Sequence, residues 1–322
     1  MAARIDQTTG RDAIAYVGQA PWHRLGQQLQ PGQPIEIWLK ESGMDYEVRA
    51  ADVGYVTDTN QALFMPNRKV LYRSDTEAPL SIVSKGYKIV QPGAIMKFFD
   101  DLCKIAGFDL EVAGVLDGGK RVWGLAKVSE GAPVRGTDVV KPYVLLATSY
   151  DGTMATVGQF TGVRVVCHNT ITMAINDTVG QVRIPHNQQF DPEAMKQSLG
   201  IVENVYDKWM DKVKVMAETP MSEAAADKFM VDLMSTINKE KSALENREST
   251  MYKHMMTNFS GQGNLIGSDL DGGYNAWRML NVVTQLVDHE RGAEKTRLNS
   301  AWFGSGNALK TKAFELLSEV TV

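Results

Sequence analysis

The sequence predicts an α+β fold, an antiparallel β-meander with packed helices followed by a helical C-terminal part. Two observations carry this. Two consecutive hairpin patterns, Phe108–Val128 around Asp117-Gly118-Gly119 and Val140–Val165 around Asp151-Gly152, flank Asp-Gly turn signals with alternating β-rich runs. From Asp191 onward, apolar residues recur instead at helical spacings of three and four. Runs of strands followed by runs of helices are the α+β order.

The elements divide the chain into three stretches. In residues 1–45, the first thirty lack periodicity and hold Gly10, Gly18, Pro21 and Gly26, so they are expected to form an arm; a short helix over Pro34–Glu41 follows and stops at Gly43. Residues 46–190 form the β-rich α+β domain. Short β runs between Tyr46 and Val90 predict a small antiparallel sheet. Pro92 opens a helix carrying Ile95, Phe98, Phe99, Leu102 and Ile105 until Gly107 ends it. The two hairpins then make a four-stranded meander, Cys167–Asn176 is expected to continue as a helix, and Gln181–Ile184 is one more strand. In residues 191–322, Asp191 caps a helix with Pro192 in its first turn. Met195, Leu199, Val202, Tyr206, Trp209, Val213 and Met216 form a long apolar stripe, and further helices open at Ser222-Glu223 and run over Tyr274–Arg291 and Asn307–Val320.

Bulk properties exclude several classes. With 322 residues, 43% apolar and 22% charged, the chain has ordinary globular usage. Two distant cysteines, Cys103 and Cys167, give no disulfide framework and suit a reducing compartment. No secretory signal and no run of roughly 18 apolar residues is present, so a cytoplasmic protein with no membrane contact is expected. A net charge of −4 argues against a coat for duplex DNA. The charge is uneven, however: residues 61–190 hold fourteen basic and eleven acidic side chains, which places any anion-binding surface there.

The meander supplies the candidate site. Alternation along Lys120–Val128 puts Arg121, Trp123, Leu125 and Lys127 on one face, and along the partner strand it groups Thr156, Phe160 and Arg164. Cations interleaved with aromatics hold phosphates and stack bases, so Lys120, Arg121, Trp123, Lys127, Phe160 and Arg164 form a candidate nucleic-acid surface. The alternative is that Trp123 and Phe160 are core and the cations snorkel from an edge. Arg164, inside the apolar run Val163-Arg164-Val165-Val166, needs either an acidic partner or a phosphate.

Catalytic and metal motifs are weaker. Cys167 and His168 are sequence neighbours and point apart on a helix or a strand, which argues against a thiol–imidazole dyad. His23, His168, His186, His254 and His289 lack metal-ligand spacing, so neither a metal nor a cofactor is expected. The strings Gly118-Gly119-Lys120-Arg121, Gly261-Gln262-Gly263-Asn264 and Gly304-Ser305-Gly306-Asn307 lack the Gly-Lys-Ser/Thr of a phosphate loop; the third precedes a helix with Lys310, where free amides suit an anion or merely a cap. The methionines of the C-terminal helices suit core or an adaptable interaction surface.

Several strings occur together: Trp22-His23-Arg24-Leu25-Gly26, Tyr87-Lys88-Ile89-Val90-Gln91, Tyr150-Asp151-Gly152-Thr153, Arg164-Val165-Val166-Cys167-His168-Asn169-Thr170, and Asn275-Ala276-Trp277 through Asp288-His289-Glu290-Arg291-Gly292. In this order they resemble the phage/plasmid-related family of unknown function, whose members occur on phages, prophages and conjugative plasmids. The resemblance covers nearly the whole chain and implies a mobile-element protein in a host cytoplasm, with no activity to carry over. The order of helix, hairpins and helix is also similar to the core of single-strand annealing proteins of the Redβ/RecT and Rad-fifty-two type. The expected function is single-stranded DNA binding with a role in strand annealing or recombination, by a homo-oligomer and without catalysis. Two alternatives stand: a host-takeover or anti-defence protein that binds a host protein through its acidic helical part, and a nucleic-acid-processing enzyme with a site drawn from Asp151, His168 and His186.

Overall fold

The computed structural model describes residues 4–18, 25–167, 169–172, 181–199 and 205–320. In chain order, β1 (Ile14–Val17) and β2 (Gln27–Leu29) precede α1 (Ile35–Glu41), and β3 (Val48–Val56), β4 (Ala62–Arg73) and β5 (Pro79–Ser84) follow. Next come α2 (Pro92–Ala106), β6 (Asp109–Leu116), β7 (Arg121–Lys127), β8 (Ala132–Arg135), β9 (Asp138–Ser149), β10 (Thr156–Arg164), β11 (Asn169–Thr172) and β12 (Gln181–Ile184). The helices α3 (Pro192–Ser198), α4 (Val205–Glu218), α5 (Glu223–Ile237), α6 (Ala243–Glu248), α7 (Thr250–Phe259), α8 (Ala276–Gln285), α9 (Glu294–Phe303) and α10 (Ser305–Val320) complete the chain. This is an α+β protein whose C-terminal part is helical.

Local signals explain most boundaries. Pro92 occupies the first turn of α2, and Gly107 ends it in the left-handed region at φ 68°, where a Cβ would be unfavourable. Asp191 accepts from Glu193 N and Ala194 N at the start of α3, Ser222 from Ala225 N at α5, and Asn275 from Arg278 N at α8.

The chain forms two compact units. The first comprises Met1–Val128, Tyr143–Phe160 and Gln181–Ile201. Its main sheet runs β12-β10-β9-β7-β6-β1-β2, so the two predicted hairpins form the meander β6-β7-β9-β10. β6 and β7 pair antiparallel around the turn Asp117–Gly119, with Gly114 opposite Trp123. α2 lies on this sheet, where Gly124 leaves room for the Phe99 ring. A separate antiparallel sheet, β3-β4-β5, realises the small sheet expected after Tyr46.

The second unit comprises Ser129–Pro142, Thr161–Gly180 and Val202–Val322. Every residue of α8 is buried; α4, α7, α10 and β11 pack around it, and Trp209 stacks on Phe314 with ring centroids 5.9 Å apart.

Four expectations change. The supposed arm contributes β1, whose buried Ile14, Ala15 and Tyr16 pair with β6; four residues are too few to show a period. In place of the expected helix over Cys167–Asn176, Cys167 lies in a turn and Asn169–Thr172 form strand β11, paired with β10; His168 and residues 173–176 lie outside the described ones. The long stripe is carried by two helices, α3 and α4, while Val202 lies outside the described residues. Ile105 is 80% exposed on the outer side of α2.

Candidate nucleic-acid interface

Protein groups hold the meander residues expected to contact nucleic acid. Arg121 Nη2 donates to Thr153 Oγ1 at 2.9 Å, and the guanidinium lies 3.7 and 3.5 Å from Asp117 and Asp151. Lys127 sits 3.3 Å from Asp109 and 3.5 Å from Glu111. Trp123 and Phe160 are 5% and 6% exposed, and Lys120 is half-buried beside its turn. β7 is buried on both faces. Alternation assigns a wet face only to a sheet with one side in water, and here it sorts residues between two dry sides.

Arg164, in the second unit, has acidic partners. It is fully buried, donates to both Asp138 oxygens at 2.7 and 2.8 Å, and reaches Asp271 Oδ1 at 2.8 Å. Trp277 Nε1 donates to Asp138 Oδ2 at 2.8 Å, and Arg278 lies 3.4 Å from Asp271. Burial pushes Asp271 up to about 6, against the pull of both arginines. Two cations and two carboxylates compensate one another in a dry setting.

The remaining singled-out strings form two polar knots. In the first unit, Tyr87 donates to the Ser149 carbonyl at 2.6 Å, Tyr150 to the Val90 carbonyl at 2.9 Å, and Asp151 accepts from Thr153 N and Oγ1. His186 stacks on Tyr87 at 4.3 Å, with its ring nitrogens 3.0 and 3.2 Å from the Lys88 and Met154 carbonyls; burial lowers its pKa. In the second unit, α8 runs into a π-helical turn over Leu286–Glu290 that presents Asp288 and His289. His289 Nε2 lies 3.0 Å from both the Cys167 carbonyl and Asn169 Oδ1, and Asp288 accepts from Thr170 N and from the buried Lys310 ammonium, each at 2.6 Å. Burial pushes the Cys167 thiol up to about 11, away from a thiolate. These groups are spent on closing the fold. At the string before Lys310, the free amide of Gly306 is taken by a protein group, donating to Ser300 Oγ at 3.2 Å. Trp22, His23, Arg24 and His168 lie outside the described residues.

Among the described residues, some of the cations with no bonded carboxylate lie on and beside the three-stranded sheet. Register pairs Ala51 and Ile82 with Val70, Arg49 with Tyr72, and Ser84 with Arg68, which puts these side chains on one face. That face is open: Arg49, Ala51, Arg68, Ile82 and Ser84 are exposed, and Val70 and Tyr72 half-buried. The opposite face carries buried Val48, Leu71, Arg73 and Val83, and Arg73 is anchored at 2.5 Å to Asp6. Lys85 follows Ser84, its amide on the Asn67 carbonyl at 3.1 Å. Lys69 Nζ donates to the Tyr87 carbonyl at 2.7 Å, and burial and the neighbouring Lys88 both lower its pKa. Asp52 stands across the ladder from Lys69 without closing an ion pair. Arg68 thus stands on the open face and exposed Lys85 follows its edge strand, while Lys69 alternates to the opposite face near Lys88; no carboxylate is bonded to any of the four among the described residues. Reading by strand alternation passed over these cations. Their signal was the lack of any acid over residues 59–74 and 78–99, where Arg68, Lys69, Lys85 and Lys88 fall.

No curated protein and no solved structure matches the chain. Residues 79–303, more than two-thirds of the 322, match the family described as Domain of unknown function (DUF932). The match begins at β5, leaving β3 and β4 before it. The chain belongs to the DUF932 family.

Proposed function

We propose that the protein binds single-stranded DNA on the open face of β3-β4-β5, with strand annealing on a mobile element as its role. The observation that carries this is that Arg68 on the open face and Lys85 at its edge have no bonded carboxylate among the described residues and border exposed Ile82 and half-buried Val70 and Tyr72. Like charges held together repel unless an anion joins them, and a row of phosphates is an anion of the right extent. Tyr72, Val70 and Ile82 offer flat and aliphatic surface for bases, which a single strand exposes and a duplex hides. The net charge of −4 disfavours general attraction to duplex DNA and confines binding to this patch.

Fluorescence anisotropy with a labelled oligothymidylate and with a duplex of equal length tests the reading. Salt-sensitive binding of the single strand, weakened by Arg68→Ala with Lys85→Ala and stronger than for the duplex, is the expected result. No binding to the single strand at low salt overturns it.

A further inference from the structure

The open face of β3-β4-β5 carries a second arginine. Arg49 stands opposite Tyr72 in the regular part of the β3–β4 ladder, and along β4 the same face continues through Val70 to Arg68, opposite Ser84. Unlike Arg68, Arg49 has an acidic partner. Its Nε and Nη2 donate to Glu47 Oε2 at 3.3 and 3.1 Å, so both bonds end on one oxygen instead of on the two oxygens of a parallel fork. Glu47 lies two residues before Arg49, which alternation puts on the same side of the chain. The pair stands in water, with the Arg49 side chain 55% exposed and that of Glu47 68%. The backbone beneath it is fixed: Glu47 N donates to Ser74 Oγ, and Ser74 N to the Glu47 carbonyl, each at 2.9 Å. An anchored carboxylate therefore occupies one of the two arginines on this face.

We infer that Arg49 is a further phosphate site of the open face and that Glu47 closes it in the unbound protein, standing in for the phosphate. The inference rests on the proposed function. An exposed ion pair between neighbours contributes little and opens readily, whereas a phosphate takes a guanidinium through two parallel charge-assisted bonds. The exchange thus favours the phosphate once a strand lies on the sheet. The reach also fits. Arg68 and Tyr72 are about 13 Å apart along β4 at ~3.3 Å per residue, a span of about four stacked nucleotides at ~3.4 Å each. One strand laid along β4 carries a phosphate past Arg68 and another past Arg49, with Val70 and Tyr72 on the face between and beside them. While Glu47 is present, Arg49 brings no net charge to the strand, so the protein holds down its own affinity.

A double-mutant cycle on the full chain, read by anisotropy of labelled oligothymidylate across a salt series, tests this. Glu47→Gln removes the carboxylate charge and keeps its shape. It is expected to bind the strand about two- to five-fold more tightly at low salt and to steepen the salt slope by ~0.7. Arg49→Ala alone should change binding little, and in the Glu47→Gln background it should cancel both the gain and the added slope. The second background matters because general repulsion by Glu47 does not depend on Arg49. Both side chains are exposed, so circular dichroism should show an unchanged fold for every variant. No gain from Glu47→Gln, a gain that survives Arg49→Ala, or a large loss from Arg49→Ala alone overturns the masked site and leaves the proposed function standing. Failure of the wild type to bind the strand at low salt overturns both.

Discussion

Arg164 shows how one side chain decides between ligand and core. A guanidinium among valines demands compensation, and here Asp138 and Asp271 supply it with no exposure of any of the three. Removing the cation alone leaves buried Asp138 with no cation and Asp271, which burial already pushes up to about 6, with Arg278 alone. Arg164→Leu is expected to lower unfolding stability by about 3–5 kcal/mol, measured by urea denaturation, because breaking a buried pair costs more than the pair contributes. Loss of DNA binding without loss of stability in that variant would contradict the assignment. Cys167 gives a second outcome at this scale: with its thiol near 11, alkylation at neutral pH should be slow until the protein unfolds. The need for a partner at Arg164 was legible in Val163-Arg164-Val165-Val166. Its identity was not, because Asp271 lies 107 residues away and local spacing says nothing about contacts of that range.

At the scale of elements, legibility followed locality. The hairpins, α2 and the capped starts of α3, α5 and α8 rest on turn and cap residues within a few positions, and the sequence displays them. β11 rests on its pairing with β10 and on Asn169 and Thr170 bonding to α8 and its π-helical turn, none of which a local window contains. Packing of α2 on β7 makes a sharp test, because a Cβ on Gly124 would fall within the Phe99 ring's contact distance. Gly124→Ala should destabilise by about 1–3 kcal/mol, and Phe99→Leu should recover part of that loss in the double variant. In the helical part, Asp227 accepts from Arg247 at 2.7 and 2.6 Å and from Tyr252 at 2.6 Å, which ties α5 to α6 and α7. Those bonds hold Asp227 at about 2. A carboxylate depressed on folding stabilises above its ordinary pKa near ~3.9, and that contribution is lost as pH falls through about 2. The wild type should thus lose stability between pH 4 and pH 2 more steeply than Asp227→Asn, as acid titration by circular dichroism will show; parallel curves would remove Asp227 from the balance.

For the whole molecule, the decisive quantity is where charge stands without a partner, since a chain of net charge −4 repels a polyanion at long range. The middle third of the sequence announced a basic excess, but it did not show which cations the fold consumes. Folding assigns Arg73, Arg121, Lys127 and Arg164 to carboxylates and leaves Arg68, Lys85 and Lys88 exposed without a bonded carboxylate among the described residues. Counterion release turns this division into a number. If Arg68, Lys85 and Lys88 each neutralise one phosphate of a single strand, the logarithm of affinity should fall against the logarithm of salt with a slope of about −2, at ~0.7 per contact. Arg68→Glu with Lys85→Glu removes two of those contacts and adds two repelling charges, so the slope should shrink by about two-thirds and affinity should fall at every salt concentration. Lys127→Gln, which removes a cation already held by Asp109 and Glu111, should leave the slope unchanged. A slope that instead follows Lys127 and ignores Arg68 and Lys85 would move the phosphate path back to the meander and away from the three-stranded sheet.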